Sequence, residues 1–106
     1  MKYNIQAPFN LSDEDKLAIE AKLASLEKFN LSISSADVFF KEDDGTNPDD
    51  INAQIRLFLP GPDIYAESFH SQAITAFNNT FSAVKKQVVK LNEKRNDHRT
   101  EIREIL

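Results

Sequence analysis

Residues Ile51–Phe69 read "INAQIRLFLPGPDIYAESF". In the first nine, Ile51, Ala53, Ile55, Leu57 and Leu59 alternate with Asn52, Gln54, Arg56 and Phe58. A period of two marks a strand with one buried face. Pro60-Gly61-Pro62 then punctuates the chain as a tight turn, and Asp63–Phe69 returns as an antiparallel partner. A hairpin with one apolar face must be covered by a second layer.

The flanking sequence supplies that layer. Upstream, "ADVFFK" (Ala36–Lys41) alternates Ala36, Val38 and Phe40 against Asp37, Phe39 and Lys41. "KYNIQA" (Lys2–Ala7) alternates Tyr3, Ile5 and Ala7 against Lys2, Asn4 and Gln6. Both are strands by the same test. Between them Ser12 is placed to cap a helix, with Asp15 at the capping-box position and Asp13 and Glu14 favouring the positive helix end. That helix is expected to run to about Lys28, with Ile19, Leu23 and Leu26 on one face and Phe29 beyond its end.

Downstream, Ser71 is placed to cap a longer helix. Ile74, Phe77, Phe81, Val84, Val88 and Leu91 recur at spacings of three and four, the helical period. It is expected to reach about Asp97, leaving residues 98–106 as a tail that extends it or folds back. The order β-α-β-β-β-α predicts one α+β domain over 1–97. It has two layers, a four-stranded mixed sheet with both helices on one face, similar to double-stranded-RNA-binding domains. The first βαβ unit makes a right-handed parallel crossover and the later strands add as antiparallel hairpins.

The 106-residue chain has 28% charged residues and a net charge of −4. The charge is uneven. Residues 1–70 carry 6 Lys/Arg and 13 Asp/Glu, whereas residues 71–106 carry 7 and 4. Such asymmetry points to a polyanion-facing end, or to a long helix kept soluble by its lysines. Five basic residues fall within Phe81–Arg95, and within Ser82–Lys94 only Glu93 opposes them. On a wheel of about 100° per residue, Lys86, Lys90 and Lys94 form a row opposite the apolar stripe. Lys85, Arg95 and Arg99 lie nearer its edge. Ammonium groups about 6 Å apart along a rigid helix suit phosphate contacts, which position a protein on nucleic acid without reading bases.

Several chemistries lack their residues. With no cysteine there is no disulfide, thiolate metal site or cysteine nucleophile. Glu42, Asp43, Asp44, Asp49 and Asp50 lack EF-hand spacing and read as a solvated loop. His70 and His98 stand alone. No nucleophile elbow or Gly-rich phosphate loop occurs, so neither an enzyme, a metal nor a cofactor is expected. No apolar run reaches the ~20 residues of a membrane span, and no signal peptide is seen. Asn30-Leu31-Ser32 and Asn78-Asn79-Thr80 match the glycosylation sequon by chance. Phe39, Phe58, Tyr65 and Phe69 fall on the sheet face away from the helices. They can pack across strands, be covered by the tail's Ile102, Ile105 and Leu106 or by a second copy in weak self-association, or stack unpaired bases.

Taken in order, "MKYNIQAP", "KLASLEKF" (Lys22–Phe29) followed by "ADVFFK", "AQIRLFLPGPDIYAES" and "AVKKQVVKLNEK" (Ala83–Lys94) resemble one family. It is that of the ribosome hibernation-promoting factors and ribosome-associated inhibitors, also called ribosomal subunit interface proteins and formerly sigma-54 modulation proteins. The likeness covers about residues 1–96. It resembles the short form, without the C-terminal domain that longer members use in ribosome dimerisation. The resemblance implies a cytoplasmic, non-enzymatic inhibitor of translation in stress or stationary phase. It would bind the small ribosomal subunit through 16S rRNA and neighbouring proteins, in the channel used by mRNA and tRNA.

By position, the resemblance makes Lys85, Lys86, Lys90, Lys94 and Arg95 the RNA-contact candidates, followed by Lys22 and Lys28, then Lys2 and Arg56. Two features set this chain apart. Its pI is 5.1, so Asp13, Glu14, Asp15 and the 42–50 carboxylates must either point away from RNA or lower the affinity for it. Gln72 stands where many members carry Asp. The alternative is a protein-interaction module on the same fold, acting through the sheet face or the acidic surface with little RNA affinity.

Overall fold

The computed structural model describes residues 1–42 and 50–105, with side chains described as far as Lys94. Asp43, Asp44, Asp49, Arg95, His98, Arg99 and the tail's apolar side chains lie outside that description. The element order is β1 (Lys2–Gln6), α1 (Asp13–Ala24), a 3-10 turn (Ser25–Phe29), β2 (Ser35–Glu42), β3 (Ile51–Phe58), β4 (Ile64–His70) and α2 (Ala73–Ile105). The strands lie in the order β1-β2-β3-β4. β1 pairs with β2 in parallel, and β2–β3 and β3–β4 are antiparallel. This is the expected two-layer α+β fold.

The core lies between the sheet and the helices. Ala36, Val38 and Phe40 of β2 and Ala53, Ile55 and Leu57 of β3 meet Ile19, Leu23 and Leu26 from the first helical segment and Phe77, Val84 and Val88 from α2, all buried. Burial of each large side chain contributes about 1.5–3 kcal/mol. Phe9 adds a tilted ring contact with Phe40, centroids 5.8 Å apart. Gly61, at φ 95°, makes the β3–β4 turn with a backbone that a side-chain-bearing residue adopts only under strain.

Three local features depart from the sequence expectation. The first helix stays α-helical only to Ala24 and tightens into the 3-10 turn, where an α-helix to Lys28 was expected. Ser25 Oγ bonds the Lys22 carbonyl there, and Asn30 ends the segment left-handed at φ 52°. Such tightening is a common way to satisfy terminal carbonyls. Ser12 does cap α1, its Oγ accepting from Asp15 N at 3.1 Å. Ser71 does not hold the corresponding place in α2. There the Gln72 carbonyl accepts the first helical bond, from Ala76 N at 2.9 Å. Asn52 lies on the outer sheet face yet is buried, its Nδ2 donating to Ser68 O at 3.4 Å and its Oδ1 accepting from Gln54 Nε2.

Candidate nucleic-acid interface

The position of α2 is fixed from below. Phe77, Phe81, Val84 and Val88 pack onto the sheet and α1, and Leu91 is half-buried. A buried polar knot adds direction. Thr80 Oγ1 lies 2.8 Å from Ala53 O, 2.9 Å from Ala76 O and 2.7 Å from Ser68 Oγ. Its hydroxyl can donate to one of these carbonyls while accepting from Ser68, so the buried Thr80 oxygen is itself paired, whereas the neighbouring Asn78 Oδ1 is buried without a partner. Further along, Gln87 Nε2 donates to Tyr65 O at 2.9 Å. Together these bonds make α2 run antiparallel to β4.

With that face committed, the other is left to solvent, and Lys85, Lys86, Lys90 and Lys94 are all exposed. They do not form one straight row. A step of four residues overshoots a helical turn by about 40°, so the lysines wind around α2. Lys86 and Lys90 occupy the crest. Lys85 leans toward α1, and Lys94 turns toward the β3–β4 turn, where it lines a groove with Pro60, Pro62 and Lys90. Lys22 of α1 joins them, its Nζ 5.5 Å from the centre of the Phe81 ring. Such a contact is worth about 0.5–1 kcal/mol at an exposed site and holds the ammonium beside α2. Lys28 stands at the end of the same helical segment, its Nζ 5.3 Å from the centre of the Phe29 ring. The ion pairs among the described residues are Met1 amino group–Glu27 at 3.9 Å and Arg56–Asp63 at 3.8 Å. None of these lysines takes part in either.

Topology separates the charges lengthwise. β1 ends where α1 begins, β2 ends and β3 begins. At that end lie Asp13, Glu14 and Asp15 of the first helical turn, Glu42 closing β2 and Asp50 preceding β3, which outnumber the exposed Lys16 and Lys41 beside them. Both helices run away from it. Lys22, Lys28 and the 85–94 lysines therefore stand toward the opposite end. The carboxylates there include Asp63, paired with Arg56, Glu27, beside the Met1 amino group, and Glu93.

The sequence matches the family described as Sigma 54 modulation protein / S30EA ribosomal protein over residues 3–96. The chain belongs to that family. Its members are ribosome-associated hibernation and modulation proteins. The fold is similar to the Thermus thermophilus protein Y N-terminal domain, with a TM-score of 0.70, 20% identity, and coverage of 86% of this chain and 99% of that one. It is also similar to a ribosomal subunit interface protein from Coxiella burnetii, with a TM-score of 0.73, 17% identity, and coverage of 88% and 99%. Among curated proteins no sequence match is found.

In this Sigma 54 modulation protein / S30EA family member the outer sheet face is a second candidate surface. Cross-strand register orders it into four rows: Lys2, Ser35 and Phe58; Asn4, Asp37, Arg56 and Tyr65; Gln6, Phe39, Gln54 and Glu67; and Lys41, Asn52 and Phe69. Phe39, Tyr65 and Phe69 are 41%, 38% and 51% exposed, and Phe58 is half-buried. Each row holds one ring with polar side chains between, so the four do not merge into one apolar patch. Tyr65 is also occupied. Its hydroxyl donates to Glu67 Oε2 at 2.7 Å, and Arg56 lies 5.1 Å from its ring centre. Burial first, then the Glu67 hydrogen bond and charge, raise its phenol above the usual value near 10, while Arg56 pulls the other way. Lys2 and Arg56 lie on this face, apart from the helix lysines.

Thr80, the last residue of the Asn78-Asn79-Thr80 sequon, is a buried structural residue that no motif marks. Its place three residues after Phe77 and four before Val84 puts it on the buried side. Among the described residues no cluster of three metal-ligating side chains occurs, and no helix is long and apolar enough to cross a membrane.

Proposed function

We propose that this protein binds the small ribosomal subunit through 16S rRNA and neighbouring proteins, in the channel used by mRNA and tRNA, and silences idle ribosomes in the cytoplasm under stress. Residues 1–97 are the binding unit. Lys85, Lys86, Lys90 and Lys94 of α2 make the principal phosphate contacts, Lys22 and Lys28 extend them onto the first helical segment, and Arg95 continues the series. The role is occlusion by binding and involves no catalysis.

The observation that carries this proposal is the gathering of lysines from both helices toward one end, with the acidic first turn of α1 at the other. An acidic protein can then present a basic surface, because fields decay over about 8 Å at physiological salt. Phosphate contacts by Lys85, Lys86, Lys90 and Lys94 give a strong salt dependence. For four contacts, affinity falls about fifty- to a hundred-and-fiftyfold between 50 and 200 mM salt. Co-sedimentation with 30S subunits at those two concentrations, beside Lys86→Glu/Lys90→Glu, tests it. Salt-sensitive binding that a folded variant lacks supports the proposal. Binding indifferent to salt and to the reversal rejects it in favour of an apolar, protein-directed contact.

A further inference from the structure

The sheet has two outer edges, β1 and β4, and they are finished differently. Along β4, Gln87 of α2 reaches over and donates its Nε2 to Tyr65 O at 2.9 Å. Along β1 the described residues offer no such cover. Lys2 N donates to Ser34 O at 3.0 Å, so in this parallel pair Lys2, Asn4 and Gln6 turn their backbone groups toward β2. The alternate residues, Tyr3 and Ile5, turn theirs outward. Each presents an N–H and a C=O that no described residue pairs. The usual guards of an open edge are few. β1 contains no proline or bulge, and its one charged side chain, Lys2, stands at its start.

The strand is also complementary to itself. Antiparallel pairing centred on Asn4 sets Tyr3 opposite Ile5 of a second copy, Asn4 opposite Asn4, and Lys2 opposite Gln6. All the outward N–H and C=O groups of Tyr3 and Ile5 are then paired. On the inner face, where both are half-buried against the core, an aromatic side chain meets a β-branched one, and no like charges face each other. At the centre, Asn4 donates one N–H to Asp37 Oδ1 at 3.0 Å, which leaves its other N–H and its Oδ1 for its counterpart. Any other register leaves part of β1 unpaired. We propose that β1 is a self-association edge, through which two copies of this chain join antiparallel into one continuous sheet. The proposal does not depend on RNA binding, because the α2 lysines are on a different element and stay exposed in such a pair. The contact is small. Five-residue strands fall short of the about 800 Å² per partner of a standard interface, and Glu20 and Glu27, near the Tyr3 hydroxyl, add like charge beside it. The dimer is accordingly weak, with a Kd of roughly 0.1–1 mM.

The chain has no cysteine, so one introduced thiol reports the contact directly. Asn4 and its counterpart form a non-hydrogen-bonded pair, with Cα atoms about 4.5 Å apart, within disulfide range. Asn4→Cys is expected to give a disulfide-linked dimer on mild oxidation. Lys41→Cys, exposed at the end of β2, is expected to stay monomeric. Sedimentation velocity on the full chain, up to about 1 mM, then tests the register. Asn4 and Gln6 are both exposed, so changes there leave the core intact. Gln6→Glu faces Lys2 of the second copy twice over and should tighten the dimer about three- to tenfold, whereas Gln6→Lys should weaken it by a similar factor. A wild type that stays monomeric throughout, with no link through Asn4→Cys, would overturn the proposal. So would a dimer that ignores both Gln6 changes and leaves Asn4→Cys unlinked, since its contact would then lie on another face.

Discussion

On α2, four lysines between positions 85 and 94 stand exposed on a rigid support, with Glu93 the one carboxylate among them. On the outer sheet face, four aromatic rings are spread one to a cross-strand row, with Asp37, Arg56, Gln54, Glu67 and Asn52 between them. Both surfaces are exposed, and both carry residues of a kind used in binding RNA. The difference lies in what surrounds each group. The lysines have no carboxylate partner among the described residues, and Lys22 joins them from a second element. Tyr65, by contrast, is engaged by Glu67 and Arg56, and Asn52 and Gln54 separate Phe39 from Phe69. A binding surface requires contiguity as well as suitable residues.

The sharpest way to break this comparison is to damage both surfaces in parallel. Lys86→Glu/Lys90→Glu should lower affinity for 30S subunits by about a hundredfold or more at low salt, since it removes two phosphate contacts and adds two repulsions. Phe39→Ser/Phe69→Ser should leave it within about twofold, the range expected of changes outside a binding surface. Both can be read from one set of sedimentation isotherms. Comparable losses would mean that the sheet face binds too.

A second test concerns what holds the lysines in place. Thr80→Val keeps the side chain's shape but removes the hydroxyl among Ala53 O, Ala76 O and Ser68 Oγ. It should cost about 1–3 kcal/mol, seen as a lower urea midpoint with unchanged slope. Affinity for 30S subunits should change little under native conditions, since the apolar stripe still fixes the helix. A neutral result would mean that the stripe alone sets its position.

The smallest effect belongs to the sheet face at alkaline pH. A phenol whose folded-state pKa is raised stabilises the fold fully below its unfolded pKa near 10 and loses that contribution as pH rises through the folded value. Tyr65→Phe should therefore flatten the fall of the urea midpoint at high pH. Tyr3, raised by burial first and then by Glu27 and Glu20, remains to give a residual slope. An unaltered alkaline limb in Tyr65→Phe would show that the Glu67 and burial effects at Tyr65 do not count energetically.

The elements and their order were legible because each carries its own periodicity: two in Ile51–Leu59, three and four in Ile74–Leu91. The parallel first pair followed from the crossover rule. Less was legible where neighbours decide. The 3-10 turn at Ser25–Phe29 depends on how Ser25 and Asn30 end the helix. The start of α2 at Ala73 turns on which of Ser71 and Gln72 reaches the first helical bond. The faces of Phe39, Phe58, Tyr65 and Phe69 followed from alternation, but their separation into different rows follows from register, which no single strand reveals. The winding of Lys86, Lys90 and Lys94 was available in the sequence, since 3.6 does not divide four. The lengthwise separation of Asp13–Asp15 from Lys85–Lys94 was not, because it requires the direction of both helices relative to the sheet.

That separation is the central claim: the basic end, and not the net charge of −4, governs binding to the ribosome. It is tested most directly by measuring the salt dependence of 30S binding for two double reversals made at opposite ends, Lys86→Glu/Lys90→Glu and Asp13→Lys/Glu14→Lys. The first should collapse affinity and flatten the slope of log K against log salt by about two, whereas the second should leave both nearly as in the wild type. Equal and opposite shifts from the two variants would contradict the claim, because they would show that the ribosome responds to total charge and not to one end of the molecule.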